Sequence, residues 1–240
     1  MAKTTGSDLL IRALRAEGVD TVFGIAGDHI LHMLDTMFDA PLRMIDFRHE
    51  SGAAHAADSY SRILKKGGVM LSTTPGHANA LPALANAMHS EAPLINIAGS
   101  AESANMGRGA MQEFDQIGAA RHITKGAWDV PTAARIPEYV ALAFRTALSG
   151  RQGPVHLTIP HDFQMAEVDD AEAARYAPNE YGTPLNVLGD PAQIERALDV
   201  LNSAQRPVIF AGSSAGATAL PAEVQRLVET MRIPFFSEDS

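Results

Sequence analysis

The run Arg48-His49-Glu50-Ser51-Gly52-Ala53-Ala54 contains the residue types that could most directly do chemistry. It puts a carboxylate between an apolar segment and an alanine-rich segment, beside residues small enough for a flat ligand to come close. The local pattern leaves two interpretations open. Glu50 could contact a ligand, or it could only cap a helix, whose macrodipole favours a negative charge at that end.

Further polar residues follow glycine-containing turns. Asp28 and His29 follow the loop Gly24–Gly27, and a histidine can exchange protons near neutral pH. The alternative is an ordinary polar helix start with Asp28 as its cap. The remaining candidates are Pro75, His77, Asn79 and Gln112. The other histidines have no spacing that suggests a metal site, and we interpret them as structural or solvated.

The elements that must position these residues alternate between strands and helices. Predicted strands cover Thr21–Ile25, Leu42–Phe47, Gly68–Thr73, Pro93–Ala98 and Val155–Ile159. Predicted helices cover Thr5–Glu17, Asp28–Phe38, Ser51–Leu64, Asn79–Ser90 and Ile136–Ser149. Continuously apolar strands between helices predict a doubly wound α/β fold with a parallel sheet covered on both faces. Ligands bind beyond the carboxyl ends of such strands, and the candidates above are expected at that edge.

Three regions are predicted along the chain. Residues 1–168 form the first domain, and residues 169–186, which are acidic and aperiodic, form a linker. Residues 187–240 are expected to be the truncated start of a second, Rossmann-like α/β domain, because two strands and two helices cannot cover both faces of a sheet. Its turn Gly212–Gly216 is a weak nucleotide-loop signal, since it lacks the full glycine fingerprint.

Composition excludes several classes of function. The formal net charge of −9 argues against binding to nucleic acid or to an anionic membrane surface. The sequence has no cysteine, which excludes a disulfide framework and a thiolate nucleophile. No apolar stretch approaches the length of a membrane span, and no secretory signal is apparent. We expect a cytoplasmic protein.

The ordered set of motifs resembles the pyrimidine-binding domain of thiamine-diphosphate-dependent enzymes of the acetolactate synthase and benzaldehyde lyase type. The motifs are Phe23-Gly24-x-x-Gly27, Arg48-His49-Glu50-x-Gly52-Ala53, Pro75-Gly76-x-x-Asn79, Gln112-Glu113-x-Asp115 and Gly153-Pro154-Val155-His156-Leu157. Residues 187–240 resemble the start of the family's central domain more weakly. Two positions depart from the family, which usually has glycine where Thr74 stands and an apolar or small residue where His77 stands.

The resemblance implies roles for individual residues. Glu50 matches the glutamate that hydrogen-bonds the cofactor's aminopyrimidine ring and activates it, so burial is expected to raise its pKa. Pro75 and Asn79 match residues near the same ring. His29 would be an acid or base near the substrate carbonyl, and Gln112 would contact the reacting centre. Asp28 and His77 are substrate-site candidates, with a surface substitution as the alternative for His77.

The resemblance also indicates what else the enzyme needs. The family holds the diphosphate through Mg²⁺ with a Gly-Asp-Gly motif, which these 240 residues do not contain. Mg²⁺ is therefore expected in a domain absent from this chain, and the chain alone is expected to be inactive. FAD or ADP is possible but not indicated. The cofactor site would lie at the interface of a homodimer or homotetramer.

The function implied is that of a lyase or carboligase acting on 2-keto acids or 2-hydroxy ketones. One alternative is an enzyme of the 2-hydroxyacyl-CoA lyase or oxalyl-CoA decarboxylase type. Another is a non-catalytic interaction module that retains only the fold. Fold does not determine substrate, so the sequence leaves the substrate open.

Overall fold

The computed structural model describes residues 3–178, 188–212 and 221–237. Contacts between Cα atoms divide the chain into two compact units, Met1–Pro184 and Leu185–Ser240. The predicted boundaries at residues 168 and 187 stay predictions. Of the predicted turn Gly212–Gly216, only Gly212 lies within the described residues. Residue 187, the predicted start of the second domain, lies outside them.

The first unit is built on a six-stranded sheet in which every pair of neighbouring strands is parallel. The strands of the unit are β1 (Lys3–Thr5), β2 (Thr21–Gly24), β3 (Arg43–Asp46), β4 (Gly68–Ser72), β5 (Leu94–Ser100), β6 (Ala127–Asp129), β7 (Val155–Pro160) and β8 (Glu167–Asp169). The order across the large sheet is β3-β2-β4-β5-β7-β6, and β1 pairs separately with β8. The predicted doubly wound α/β fold is confirmed.

Helices cover both faces of this sheet. They are α1 (Gly6–Ala16), α2 (Leu31–Phe38), α3 (Glu50–Leu64), α4 (Thr74–His89), α5 (Gln116–Ala120), α6 (Ile136–Leu148), α7 (His161–Met165) and α8 (Asp170–Ala174). One core cluster joins α1, α2 and α6 to the sheet through large aliphatic side chains. The other joins α3 and α4 to the opposite face, and alanines make up most of it.

The structure corrects several predicted boundaries. Helix α4 begins at Thr74, so Pro75 and Gly76 lie in its first turn rather than in a preceding turn. Proline fits there because the first amide of a helix has no intrahelical acceptor. Strand β5 continues to Ser100, and the predicted linker begins with β8 and α8. The short elements α5 and β6 were not predicted, because three to five residues carry too little periodicity.

The described part of the second unit contains two parallel strands and two helices. Strands β9 (Ile209–Ala211) and β10 (Phe235–Ser237) pair with each other, and the helices are α9 (Pro191–Ser203) and α10 (Pro221–Met231). Asp190 caps α9 by accepting a hydrogen bond from the Ala192 amide. Among the helices described here, none is both long enough and apolar enough to cross a membrane.

The elements α3, α4 and β4 pack against one another through small residues. Alanines 53, 57, 80 and 83 are fully buried between them. The carboxylate of Asp58, also fully buried, accepts hydrogen bonds from Arg62 on its own helix and from Asn86 on α4. A Cβ atom on Gly68 would lie 2.1 Å from the Ala57 carbonyl oxygen, so β4 can approach α3 this closely only with glycine at that position.

Gly68→Ala is therefore expected to lower the free energy of unfolding of the first unit by about 1–3 kcal/mol, since backbone must move to admit the methyl group. Gly52→Ala is the matched control, because its Cβ would meet only Phe47 at 3.4 Å. It lies in a helix and should leave stability unchanged or higher by about 0.5–1 kcal/mol. Urea unfolding followed through Trp128, the chain's one tryptophan, reports on this unit. Equal losses in both variants would contradict the packing argument.

Candidate functional site

Glu50 lies at the start of α3 with its side chain over the first turns of α4. Its Oε2 accepts a hydrogen bond of 2.9 Å from the Asn79 side-chain amide. A Cβ on Gly76 would lie 2.9 Å from Oε1 and 3.0 Å from Cγ of Glu50. The residue is half-buried, so part of the carboxyl remains accessible. A carboxyl held in this way can hydrogen-bond a ring nitrogen of a flat heterocycle.

The helix start that carries Glu50 is fixed by its neighbours. His49 is the N-cap, and its Nδ1 accepts a hydrogen bond from the Ser51 amide. Glu50 occupies the first turn, where the helix dipole favours its charge. The capping interpretation and the ligand interpretation are thus compatible, because the backbone is capped by His49 and the Glu50 carboxyl reaches across to α4.

Pro75 and Asn79, the other predicted cofactor residues, are both exposed on the first two turns of α4. Asn79 contacts Glu50 directly, so the structure brings these two predicted residues together. Pro75 lies on the surface of the same turn, one residue before Gly76.

His29 lies in a 3-10 turn, Asp28–Ile30, that follows β2. Its ring is 5% exposed, and Nδ1 lies 3.1 Å from the Thr74 hydroxyl oxygen. Burial, followed by the nearby His161, lowers the pKa of His29 below its ordinary value. Asp28 is exposed beside it and does not cap the turn, whose N-cap is Gly27.

The backbone of His29 is also held in place by its neighbours. The Gln164 side chain donates to the His29 carbonyl oxygen at 2.7 Å. Strand β5 passes so close that a Cβ on Gly99 would lie 1.8 Å from the same oxygen. Glycine at position 99 is therefore required for His29 to occupy its place.

A cleft of about 610 Å³ opens beside His29. Its walls come from the 3-10 turn and start of α2, from the segment after β5, and from the start of α7. The lining residues are Asp28, His29, Leu31, His32, Ala101, Glu102, Asn105, Arg108, Ala110, Met111 and His161. The rings of His32 and His161 are 4.9 Å apart at the cleft. Asp28 and His29, two predicted site residues, thus share one concave surface with ionisable groups of both signs.

Gln112 belongs to a loop whose conformation depends on Glu113. The Glu113 carboxylate accepts hydrogen bonds from the amides of Gly107, Gly109 and Ala110. These donors, Gly107 first, hold the pKa of Glu113 below its ordinary value. Gln112 itself has a left-handed backbone, with φ of 58°, and an exposed side chain. Met111 lines the cleft, whereas the Gln112 side chain is presented to the exterior of this chain.

His77 lies in the core and is fully buried, which argues against a direct role in substrate binding. Its ring stacks on His156 at 4.0 Å between centroids. Nε2 is 3.2 Å from the Gln116 carbonyl oxygen and therefore carries a hydrogen. Nδ1 then accepts from the Asn96 amide nitrogen, which also contacts Nδ1 of His156 at 3.1 Å.

Burial favours the neutral form of both stacked histidines. The Asn96 amide group donates one hydrogen to each Nδ1, and Nε2–H of His156 donates to Thr158 at 3.0 Å. Burial lowers the pKa of His77 to about 4 and that of His156 well below its ordinary value. This agrees with the prediction that His156 is structural.

The described residues contain no group of three or more histidine, aspartate or glutamate side chains arranged to hold a metal ion. Among the described residues, the Glu50 carboxyl, with Asn79 and the small Gly76 beside it, forms an arrangement that could hold a flat heterocycle.

Sequence reasoning missed the residues that support His29. Thr74 was noted only as a departure from a common glycine, and that departure was the available signal. Gln116, Gln164 and Gly99 carry no sequence signal, because the side-chain amides of the two glutamines and the carbonyl of Gly99 meet His29 and Thr74 only through the fold.

A family model described as thiamine pyrophosphate enzyme, N-terminal TPP binding domain, matches residues 4–119. A probable acetolactate synthase large subunit of Methanocaldococcus jannaschii is 36% identical over 231 residues, which are 95% of this chain and 39% of that protein. The acetolactate synthase isozyme 2 large subunit of Escherichia coli is also 36% identical, over 94% of this chain and 40% of its own length.

Two decarboxylases are similar as well. Oxalyl-CoA decarboxylase of Escherichia coli is 31% identical over 97% of this chain and 42% of its own length. The solved structure of a Rhodococcus jostii RHA1 thiamine diphosphate-dependent 4-hydroxybenzoylformate decarboxylase matches with a TM-score of 0.89 and 28% identity, over 98% of this chain and 44% of that chain. The chain thus spans about two fifths of the length of these relatives.

The buried histidines predict that stability falls as the pH is lowered from about 6.5. An unfolded histidine titrates near 6.5, whereas His77 in the folded chain titrates at about 4, so the unfolded state binds more protons between these values. His77 alone should lower the free energy of unfolding by about 3 kcal/mol across this interval. Urea unfolding from pH 7 to pH 4.5, followed by Trp128 fluorescence, measures the effect.

His77→Asn should flatten this pH dependence, although it should also cost stability at pH 7 by disrupting the buried hydrogen bonds. His55→Asn, a change at an exposed position of α3, should leave the pH dependence unaltered. An unchanged slope in His77→Asn would contradict the assignment of a neutral buried His77.

Proposed function

The chain belongs to the thiamine pyrophosphate-dependent enzymes of the acetolactate synthase family, and we propose that it supplies the aminopyrimidine-binding part of a lyase or carboligase. Its substrates would be 2-keto acids or 2-hydroxy ketones. The observation that carries the proposal is the Glu50 carboxyl, oriented by Asn79 at 2.9 Å beside Gly76. A non-catalytic module would have no need of a carboxyl in this arrangement.

Glu50 is the residue proposed to activate the cofactor. Its Oε2 is held by Asn79, which leaves Oε1 to share a proton with a ring nitrogen of the aminopyrimidine. Gly76 leaves room for that contact, and the exposed Pro75 contributes surface next to it. When bound, thiamine diphosphate would supply a carbanion nucleophile, and its thiazolium ring would then serve as an electron sink.

His29 is the proposed acid or base toward the substrate. It lines the cleft, and burial favours its neutral form, which can accept a proton. Asp28 lines the same cleft and is a candidate for contact with substrate. We also propose that Gln112, whose side chain points outward, reaches the reacting centre of a second subunit in a homodimer or homotetramer.

The diphosphate and Mg²⁺ are proposed to bind to a part of the enzyme outside these 240 residues, since no Gly-Asp-Gly motif is present in them. The half-exposed Glu50 would then be covered when that part closes over it. The expected cytoplasmic location stays a prediction.

The similarity to oxalyl-CoA decarboxylase favours a second candidate, an enzyme of the 2-hydroxyacyl-CoA lyase or oxalyl-CoA decarboxylase type. The two candidates differ in the substrate that gives turnover. Assay of the natural polypeptide with thiamine diphosphate and Mg²⁺ on pyruvate, benzoin and oxalyl-CoA distinguishes them.

Glu50→Gln should lower turnover on the active substrate by about 10²–10⁴-fold, because the amide cannot share a proton with the pyrimidine ring. Cofactor affinity, measured by calorimetry, should change only a few-fold. Glu138→Gln is the matched control: Glu138 lies in the first turn of α6 and pairs with Arg135. It should retain turnover. Full activity in Glu50→Gln would contradict the proposed role, and no turnover on any substrate in the unaltered protein would favour a non-catalytic module.

A further inference from the structure

The buried ring of His29 has a hydrogen-bond partner that the family resemblance does not provide. Nδ1 of His29 lies 3.1 Å from the Thr74 hydroxyl oxygen. Thr74 is 1% exposed, so solvent cannot replace this hydroxyl. The contact therefore lies in the buried interior of the site.

The neighbours of Thr74 determine which atom carries each hydrogen. The Thr74 hydroxyl donates to the Gly99 carbonyl oxygen at 3.2 Å. The Gln116 amide nitrogen approaches both that oxygen, at 3.2 Å, and the Thr74 hydroxyl, at 3.3 Å. A carbonyl oxygen only accepts, so Gln116 must present its NH₂ group here.

In this arrangement the Thr74 hydroxyl gives its single hydrogen to Gly99, and its oxygen accepts a hydrogen bond from His29. Nδ1 of His29 must then carry a hydrogen, and in the neutral ring Nε2 keeps its lone pair. Within the described residues, Nε2 has no hydrogen-bond partner, and the ring lines the cleft.

We propose that Thr74 is a positioning residue that fixes His29 in the Nδ1–H tautomer, so that Nε2 is the basic atom presented to the cleft. Gln116 assists by holding the Thr74 hydroxyl in its donor orientation toward Gly99. Without the hydroxyl, Nδ1 would lose this acceptor, and burying an N–H group without an acceptor is costly. The ring would then favour the tautomer in which Nε2 carries the hydrogen and cannot act as a base.

The use of this tautomer rests on the proposed function. A hydroxyl of the substrate would transfer its proton to the Nε2 lone pair, while the electrons of the O–H bond stay on oxygen. The resulting imidazolium keeps its Nδ1–H bond to Thr74 and later returns the Nε2 proton. The charged or titratable groups around His29 are Asp28 on its own turn, His32 on α2, His161 on α7, and Glu102 and Arg108 across the cleft.

The tautomer itself can be measured without turnover. Long-range ¹H–¹⁵N correlation spectra of the full chain labelled with ¹⁵N-histidine distinguish protonated from unprotonated ring nitrogens, and His29→Gln assigns the resonance among the nine histidines. At pH 7.5, His29 should be almost entirely Nδ1–H. Thr74→Val, which matches the shape of threonine, should shift the tautomer ratio toward Nε2–H by about tenfold or more. Thr74→Ser, which keeps the hydroxyl, should behave like the unaltered chain.

Trp128 fluorescence verifies that each variant is folded, and Thr74→Ala replaces Thr74→Val if the latter is not. An unchanged tautomer ratio without the hydroxyl would overturn the inference, as would equal shifts in Thr74→Ser and Thr74→Val. In the natural polypeptide, Thr74→Val should lower kcat and alter its pH profile, and Thr74→Ser should restore both. A tautomer shift without any loss of turnover would support the positioning role of Thr74 and contradict the proposed role of His29.

Discussion

The close contact between α3 and α4 is the constraint on which the candidate site depends. Helices usually pack with their axes 8–10 Å apart, at a distance set by the side chains between them. Here the buried side chains are mostly alanines, and the Asp58 carboxylate ties the two helices through Asn86. This proximity lets Glu50, at the start of one helix, accept a hydrogen bond from Asn79 on the other. Larger side chains in this interface would separate the pair.

Residues in the first two turns of α4 contact three different parts of the protein, namely His29, Asn96 and Glu50. Side chains three residues apart share a helix face, and Thr74 and His77 both point into the protein, toward His29 and Asn96 respectively. Gly76 and Asn79 point toward Glu50 instead. The start of α4 therefore contacts both Glu50, proposed to activate the cofactor, and His29, proposed to act on substrate. A shift of this helix start would affect both residues.

The sequence predicted the fold and the position of Glu50 because both depend on local pattern. Apolar strands between helices specify a parallel sheet, and the edge of that sheet specifies where Glu50 lies. The start of α4 was misplaced because Pro75-Gly76 is typical of a turn, although proline is also favoured in a first helical turn. The inward direction of His77 and the contact of Thr74 with His29 depend on residues 19 to 45 positions apart meeting in space. A local sequence pattern does not encode contacts between residues so far apart in the chain.

Asn96 lies between the two buried histidines in a chain of hydrogen bonds. Its amide group gives a hydrogen to each of the two stacked histidines, which point their acceptor nitrogens at it from either side. An amide NH₂ does not readily accept a proton from one neighbour and release another to the next, so this chain of hydrogen bonds is interrupted at its middle. The hydrogen bonds of the buried histidine pair therefore do not form a continuous path for a proton between Thr158 and the Gln116 carbonyl oxygen.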